Sequence, residues 1–364
     1  MSWSAQQEQA IAAVRAWLAD PHGPQVFYLA GYAGTGKTTI AKELAGEVSE
    51  VCFAAFTGKA SLVLRGKGCA GASTIHSLIY SPVEDDDGRT RFVLNPESKA
   101  SVANLVVIDE VSMVGAELGR DLLSFGTRVL VLGDPAQLPP VGDGTGFFTA
   151  RDPDFMLTEI HRQAADNPII RLATTVRQGG RLEFGEYGTS AVIPRAKVGQ
   201  KLALGVDQVL CGKNDTRRTT NAKIRKLLGR EGFFVEGERV ITLRNDKDKG
   251  LLNGALWTVT GIEYSDADES HLTIRAIDAG MTDRPVDIKT HHAWLTGREK
   301  ELPWGIQREF DPVDYAYCLS VHKAQGSQWD SVLILDESRV FREDAAKHLY
   351  TAVTRAAERV VVAI

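Results

Sequence analysis

Residues Val26–Thr39 read VFYLAGYAGTGKTT, and this stretch decides the fold. VFYLA is a short continuous apolar run, the mark of a strand buried on both faces. Gly31 to Thr38 then fit GxxxxGK(S/T), and KTTIAKELAGEV continues in a helical pattern. A strand, a glycine-rich turn and a helix start, in that order, make the setting in which such a loop cradles phosphate. With Gly31, Gly34 and Gly36 in the loop, backbone N–H groups, that of Thr35 included, can curl round phosphate oxygens. The helix N-terminus, running through Thr39, adds partial positive charge. Lys37 is placed to neutralise the β and γ phosphates of ATP, and the Thr38 hydroxyl to ligate Mg2+.

Outward from this loop, VCFAAF (51–56), LVVIDE (105–110) and VLVLGD (129–134) repeat the strand pattern, with helical stretches such as GAELGRDLLSF between them. Alternating apolar strands and helices indicate a doubly wound α/β domain with a parallel sheet, ending near Ala150. LVVIDE sets Asp109 and Glu110 at the carboxyl edge of that sheet, where the phosphate loop also opens. Asp109 is expected to hold Mg2+ through its water shell, and Glu110 to polarise the attacking water as general base. In VLVLGDPAQLPPV a stiff turn carries Gln137, whose amide can bond both a γ-phosphate and the attacking water.

The rhythm returns in DQVLC (207–211), YAYCLSV (315–321), SVLILD (331–336) and RVVVAI (359–364), with a helix expected at about 344–357. This is a second α/β domain, 151–234 and 312–364. Short alternating strands with regular turn signals between 235 and 311 predict a small β-barrel inserted into it. A second insertion, about 78–101, carries two strand candidates around Asp86-Asp87-Gly88, a favoured hairpin turn.

At 364 residues the chain has room for two or three domains. Four scattered cysteines with no CxxC pair read as buried reduced thiols. No apolar run approaches the length of a membrane span, and MSWSAQQEQA lacks a signal-peptide core, so a cytoplasmic protein with no membrane partner is expected. A net charge of −5 argues weakly against nucleic acid. Against that, Lys213 to Arg230 holds seven Lys or Arg and one Asp. On a helix over 216–228, Ile224, Leu227 and Leu228 would face a core, with Arg217, Arg225 and Lys226 outward.

The phosphate loop, ASTIHSL, VIDEVSM, GDPAQLPPV, SVHKAQGSQWD and LYTAVTRA follow one another in that order. Together they resemble the superfamily 1 helicases, in the RecD-type, phage Dda-type and Pif-type branch that moves 5′ to 3′. The resemblance covers nearly the whole chain. It implies two RecA-like domains with ATP between them, and a monomeric motor that tracks single-stranded DNA and opens single-strand/duplex junctions in replication, recombination or repair. It also implies residue roles. Gln7, or its neighbour Gln6, resembles the adenine-reading glutamine, and Arg162 and Arg355 the two arginines that reach the γ-phosphate. Gln325 and Gly326 match the motif that links nucleotide to DNA. DNA contacts fall to Thr57, Lys59, Thr74 and His76 in the first domain, and to His322 and Lys323 in the second. The hairpin matches the wedge that splits a duplex. Phe56 and Trp329 depart from the usual spelling, and the run Glu84–Asp87 is acidic, unusual for an element that meets DNA. A P-loop kinase or signalling NTPase would need neither the second α/β domain nor TAVTRA. A regulatory subunit with a silent ATP site would lack Lys37, Glu110 or Arg355, and a nuclease would need a further carboxylate cluster. The absence of an extra N-terminal domain suits a phage or stand-alone repair enzyme.

Overall fold

The computed structural model describes residues 3–84, 90–140, 146–159 and 167–364. The chain divides into two compact units, Met1–Arg171 and Leu172–Ile364.

Unit 1 contains β1 (Val26–Gly31), β2 (Val51–Ala55), β3 (Ser73–Thr74), β4 (Tyr80–Glu84), β5 (Thr90–Leu94), β6 (Leu105–Asp109), β7 (Val129–Gly133) and β8 (Phe155–Leu157). Six of these form one sheet in the order β3-β2-β6-β7-β1-β8, every neighbour parallel. Its strands are apolar at successive positions because alternate residues enter different cores. Phe27, Leu29, Leu105, Val107, Leu130 and Leu132 pack under the helices Ala5–Ala19 and Lys37–Ala45. Tyr28, Ala30, Val106, Ile108, Val129 and Val131 pack on the opposite side against Ile75, Ile79 and Leu122. A period-two backbone with helices on both sides thus explains the unbroken apolar runs.

The expected end of the first domain near Ala150 is too early. Phe155–Leu157 adds to the open edge of β1, with Leu29 opposite Phe155 and Gly31 opposite Leu157. Three residues behind Asp152-Pro153-Asp154 are too short a run to announce a strand. β4 and β5 pair antiparallel as a separate two-stranded ribbon, from Tyr80 opposite Leu94 to Glu84 opposite Thr90. The Asp-Gly turn expected between them lies outside the described residues, as do Asp85, Asp86 and Asp87.

Unit 2 contains β9 (Gly185–Tyr187), β10 (Ser190–Ile193), β11 (Gln208–Cys211), β12 (Arg239–Thr242), β13 (Leu256–Ser265), β14 (Glu269–Ala276), β15 (Val286–His291), β16 (Val313–Tyr315), β17 (Cys318–Ser320), β18 (Trp329–Leu335) and β19 (Ala356–Ala363). One sheet has the order β17-β11-β18-β19-β10-β9, parallel except at β9. The other, β15-β14-β13-β12-β16, is antiparallel throughout, over a core centred on the fully buried Trp257. Its outer strands are joined near Lys289, whose carbonyl accepts from the Asp311 N–H at 2.6 Å.

The expected boundary at 311 and the single strand YAYCLSV both need correction. Val313–Tyr315 pairs with β12 in the antiparallel sheet, and Cys318–Ser320 pairs with β11 in the parallel one. The link is only Ala316-Tyr317. Ala316 N–H donates to Arg239 O (3.0 Å), and Tyr317 O accepts from Val209 N–H (3.2 Å). The Asn221 side chain bonds Tyr315 O and both backbone groups of Cys318. One apolar run serves two sheets, with no turn residue between to mark the change.

The basic helix runs Asn214–Leu227, and its facing differs from the expected one. Arg217 is buried in an ion pair with Asp314, each side chain 4% exposed. Arg225 lies over the Tyr315 ring and shares the fully buried Glu238 with Arg230. Leu227 and Leu228 are exposed. Three of the seven cations therefore neutralise interior carboxylates, so the outward positive face is smaller than composition suggests. All four cysteines are free, with Cys211 and Cys318 Sγ atoms 3.6 Å apart in the core. Among the described residues no helix is long and apolar enough to cross a membrane.

Candidate functional site

The phosphate loop is shaped by glycine where glycine is required. Gly34 and Gly36 have φ of 80° and 87°, and Gly36 caps the helix Lys37–Ala45 without any side-chain bond to its first turn. Those amides are left facing the loop, as an anion site requires. The Lys37 ammonium donates to Gly31 O (2.6 Å) and Tyr32 O (3.1 Å), folded back across the loop's own carbonyls. Thr35 is buried, and Thr39 is exposed on the helix's first turn.

Behind the loop, β6 delivers the carboxylates. The Thr38 hydroxyl donates to Asp109 Oδ2 at 3.0 Å, so hydroxyl and carboxylate already converge. Asp109 Oδ1 accepts the Glu110 N–H at 2.8 Å. Glu110 adopts φ 56°, ψ 45°, a left-handed conformation that costs a non-glycine residue about 1–3 kcal/mol. That turn swings the chain off the strand at the point where a base is expected. Just past the neighbouring β7, Asp134 is buried and holds the following turn through the Ala136 N–H (3.0 Å). Gln137 is 8% exposed, and its Oε1 has no hydrogen-bond partner among the described residues. A buried acceptor left open in this way has room in its bonding for one more donor, such as a water. The Ser112 hydroxyl, two residues past Glu110, is likewise buried and unpartnered; sequence reading passed over it, although it stands in VIDEVSM.

Gln7 is placed against the loop but engaged at both ends. Its Oε1 accepts the Ser4 N–H (3.0 Å) in a capping box, and its Nε2 donates to Thr35 O (3.0 Å). Gln6 bonds Thr158 Oγ1 and accepts from the N–H groups of Thr158 and Glu159. In this arrangement the N-terminal glutamines brace the phosphate loop and the strand exit, and neither amide is free for adenine.

The other candidates are spread over both units. Thr57 caps the helix Gly58–Gly66, on which Lys59 is buried, and Thr74 caps the helix Ile75–Ile79. His76 lies against the rings of Tyr80 and Phe92. In unit 2, Gly326 has φ 75° in the turn after β17, and Gln325 is buried beside it. Arg355 is 5% exposed and donates to Thr351 O (3.1 Å), Ser327 O (3.2 Å) and Thr354 Oγ1 (3.2 Å), clasping the end of the helix Ala345–Val353 to that turn. His322 packs against Phe341 and His348, and burial lowers its pKa against the opposing pull of Asp344. Lys323 is also held low by burial, near Asp314 and Arg217. Arg162 lies outside the described residues.

A family model described as AAA domain matches residues 3–196, and one described as UvrD-like helicase C-terminal domain matches residues 315–363. The ATP-dependent RecD2 DNA helicase of Deinococcus radiodurans is 30% identical over 372 residues, covering 93% of this chain and 46% of that protein. The ATP-dependent DNA helicase Pif1 of Bdellovibrio bacteriovorus is 24% identical over 385 residues, covering 92% of this chain and 82% of its own. The chain thus spans about half the length of the Deinococcus relative. Among solved structures, Bacteroides Pif1 bound to single-stranded DNA superposes with a TM-score of 0.59 at 20% identity, covering 100% of this chain and 92% of that one, which establishes a common fold. With more than half of its length matched, the chain belongs to the AAA domain family, and it is similar along nearly all of its length to the RecD2 and Pif1 helicases named above.

Proposed function

We propose that this chain is an ATP-dependent DNA helicase that moves 5′ to 3′ on single-stranded DNA and opens duplex at junctions. The observation that carries the reading is the Thr38 hydroxyl 3.0 Å from Asp109 beside a loop of left-handed glycines, with Glu110 next in line. An alcohol and a carboxylate converging on one point are the donors a hard divalent cation takes, so Thr38 and Asp109 would hold Mg2+. When bound, that ion draws charge off the phosphate oxygens. Lys37 leaves its loop carbonyls for the β and γ phosphates, and Glu110 orients and deprotonates the attacking water. Gln137 offers its buried carbonyl oxygen to the same water. Arg355, and by family resemblance Arg162, are assigned to the charge that develops on the transferred phosphoryl group.

On the DNA side we assign Thr57, Lys59 and Thr74 in unit 1 and Lys323 in unit 2, with the Gln325-Gly326 turn linking nucleotide to strand. The ribbon β4–β5 is read as the hairpin that meets the duplex, and the five-stranded antiparallel sheet as a small barrel inserted into a second RecA-like domain. ATP turnover measured with and without single-stranded DNA tests the reading. Turnover should rise with DNA and fall back as salt rises. Glu110→Gln should bind nucleotide yet turn over at least about 10²-fold slower, the usual scale of a lost general base. Turnover indifferent to DNA would favour a signalling NTPase.

A further inference from the structure

Two paired strands of five residues bury too little between them to hold one pose in water. Something at the base of β4–β5 must fix the ribbon, and rings do it. The Tyr80 hydroxyl donates to Asp121 on the helix Ala116–Leu123. The His76 ring lies 4.7 Å from the Tyr80 ring and 4.4 Å from that of Phe92, edge-on to the latter at 73°. Pairing sets Tyr80 opposite Leu94 and Pro82 opposite Phe92, so these four share one face. Phe92 is still 54% exposed. The short helix that carries His76 is anchored by Ile75 and Ile79, both fully buried. His76 is therefore a surface ring on an immobile base, touching the first residue of one ribbon strand and the middle of the other.

We propose that His76 is a positioning residue for strand separation: its ring, seated against Tyr80 and Phe92, sets the angle at which the ribbon leaves the core. The role requires a flat ring that can lie against both Tyr80 and Phe92. It rests on the helicase reading for its consequence, though not for its geometry.

The test compares His76→Ala and His76→Phe in the full chain. Hydrogen exchange of the β4 and β5 amides reads the pose directly, and base pairs opened per ATP hydrolysed on a forked substrate reads the consequence. With alanine, exchange should quicken and the coupling ratio fall, each by about tenfold, the scale on which a pair of aromatic contacts counts. With phenylalanine both should stay within about twofold of the parent. Unchanged exchange in the alanine variant overturns the proposal. So does a phenylalanine variant that unwinds as poorly as alanine and loses DNA affinity, since the imidazole would then be touching DNA. A parent protein that hydrolyses ATP on DNA and leaves the fork closed would overturn the helicase reading and the role in separation, with exchange still judging the pose.

Discussion

Replacing His348 by phenylalanine probes the interior of unit 2 through pH. His348 is 2% exposed on the helix Ala345–Val353, and neither ring nitrogen has a hydrogen-bond partner among the described residues. Phe341 stacks on it at 4.0 Å and 15°. Burial holds its pKa down from 6.5 to about 4, the nearby His322 adds to the effect, and Glu337 opposes it. Because the folded value lies below the unfolded one, the unfolded chain takes up a proton between these limits that the folded chain refuses. Stability is therefore complete above about pH 6.5 and declines as pH falls towards 4, at about 1.4 kcal/mol per pH unit. From pH 6.5 to 5 the loss is about 2 kcal/mol, or roughly 4–8 °C in the melting temperature of a unit this size. Phenylalanine keeps a ring for Phe341 and removes the titration. His322 is also lowered by burial and is present in both proteins, so it titrates in each. Calorimetric melting of the two proteins from pH 7.5 to 5 should start level, or with the variant ahead, and diverge by that amount. Parallel curves would refute the reasoning, because they would mean the native ring binds its proton as readily as the unfolded one.

Gly36→Ala forces φ 87° on a residue with a Cβ, which would stand 2.7 Å from Gln7 Nε2. It should cost about 1–2 kcal/mol of stability and weaken binding of a non-hydrolysable ATP analogue by at least about tenfold, as titration calorimetry would report. Asp314→Asn leaves the buried Arg217 without its counter-charge and should lower the unfolding free energy by about 3–5 kcal/mol in urea, whereas changing both residues to apolar ones should cost less. Arg355→Ala should slow turnover on the order of 10³-fold if the guanidinium serves the phosphates. A loss under about tenfold, alongside a lower melting temperature, would leave Arg355 as the clasp that its three hydrogen bonds describe.

What the sequence discloses and withholds follows from the range of the interactions. The phosphate loop and the core strands are written locally, in consecutive apolar residues and in glycines whose φ no other residue adopts easily. The capping box is local too: Ser4 and Gln7 spell S-x-x-Q, which foretells that Gln7 is engaged at the helix start before any adenine arrives. Hidden is whatever depends on a distant partner. Arg217 looks solvent-facing until Asp314, ninety-seven positions on, is seen to meet it. Phe155–Leu157 becomes a strand only because β1 offers it an edge. His322, read as a DNA contact, lies tilted against the rings of Phe341 and His348, a cluster that no local pattern signals.

The two-residue splice at Ala316-Tyr317 bears on how unit 2 can be taken apart. Both linking residues are hydrogen-bonded, one to each sheet, and Asn221 staples the flanks, so the splice has no slack. Cutting out 235–311 would orphan Val313–Tyr315 and strip Glu238 from Arg225 and Arg230. The antiparallel sheet is thus not a portable cassette but a keystone: unit 2 should melt in a single cooperative step, and a strain applied to one sheet arrives in the other, two residues from the start of the His322–Gly326 turn.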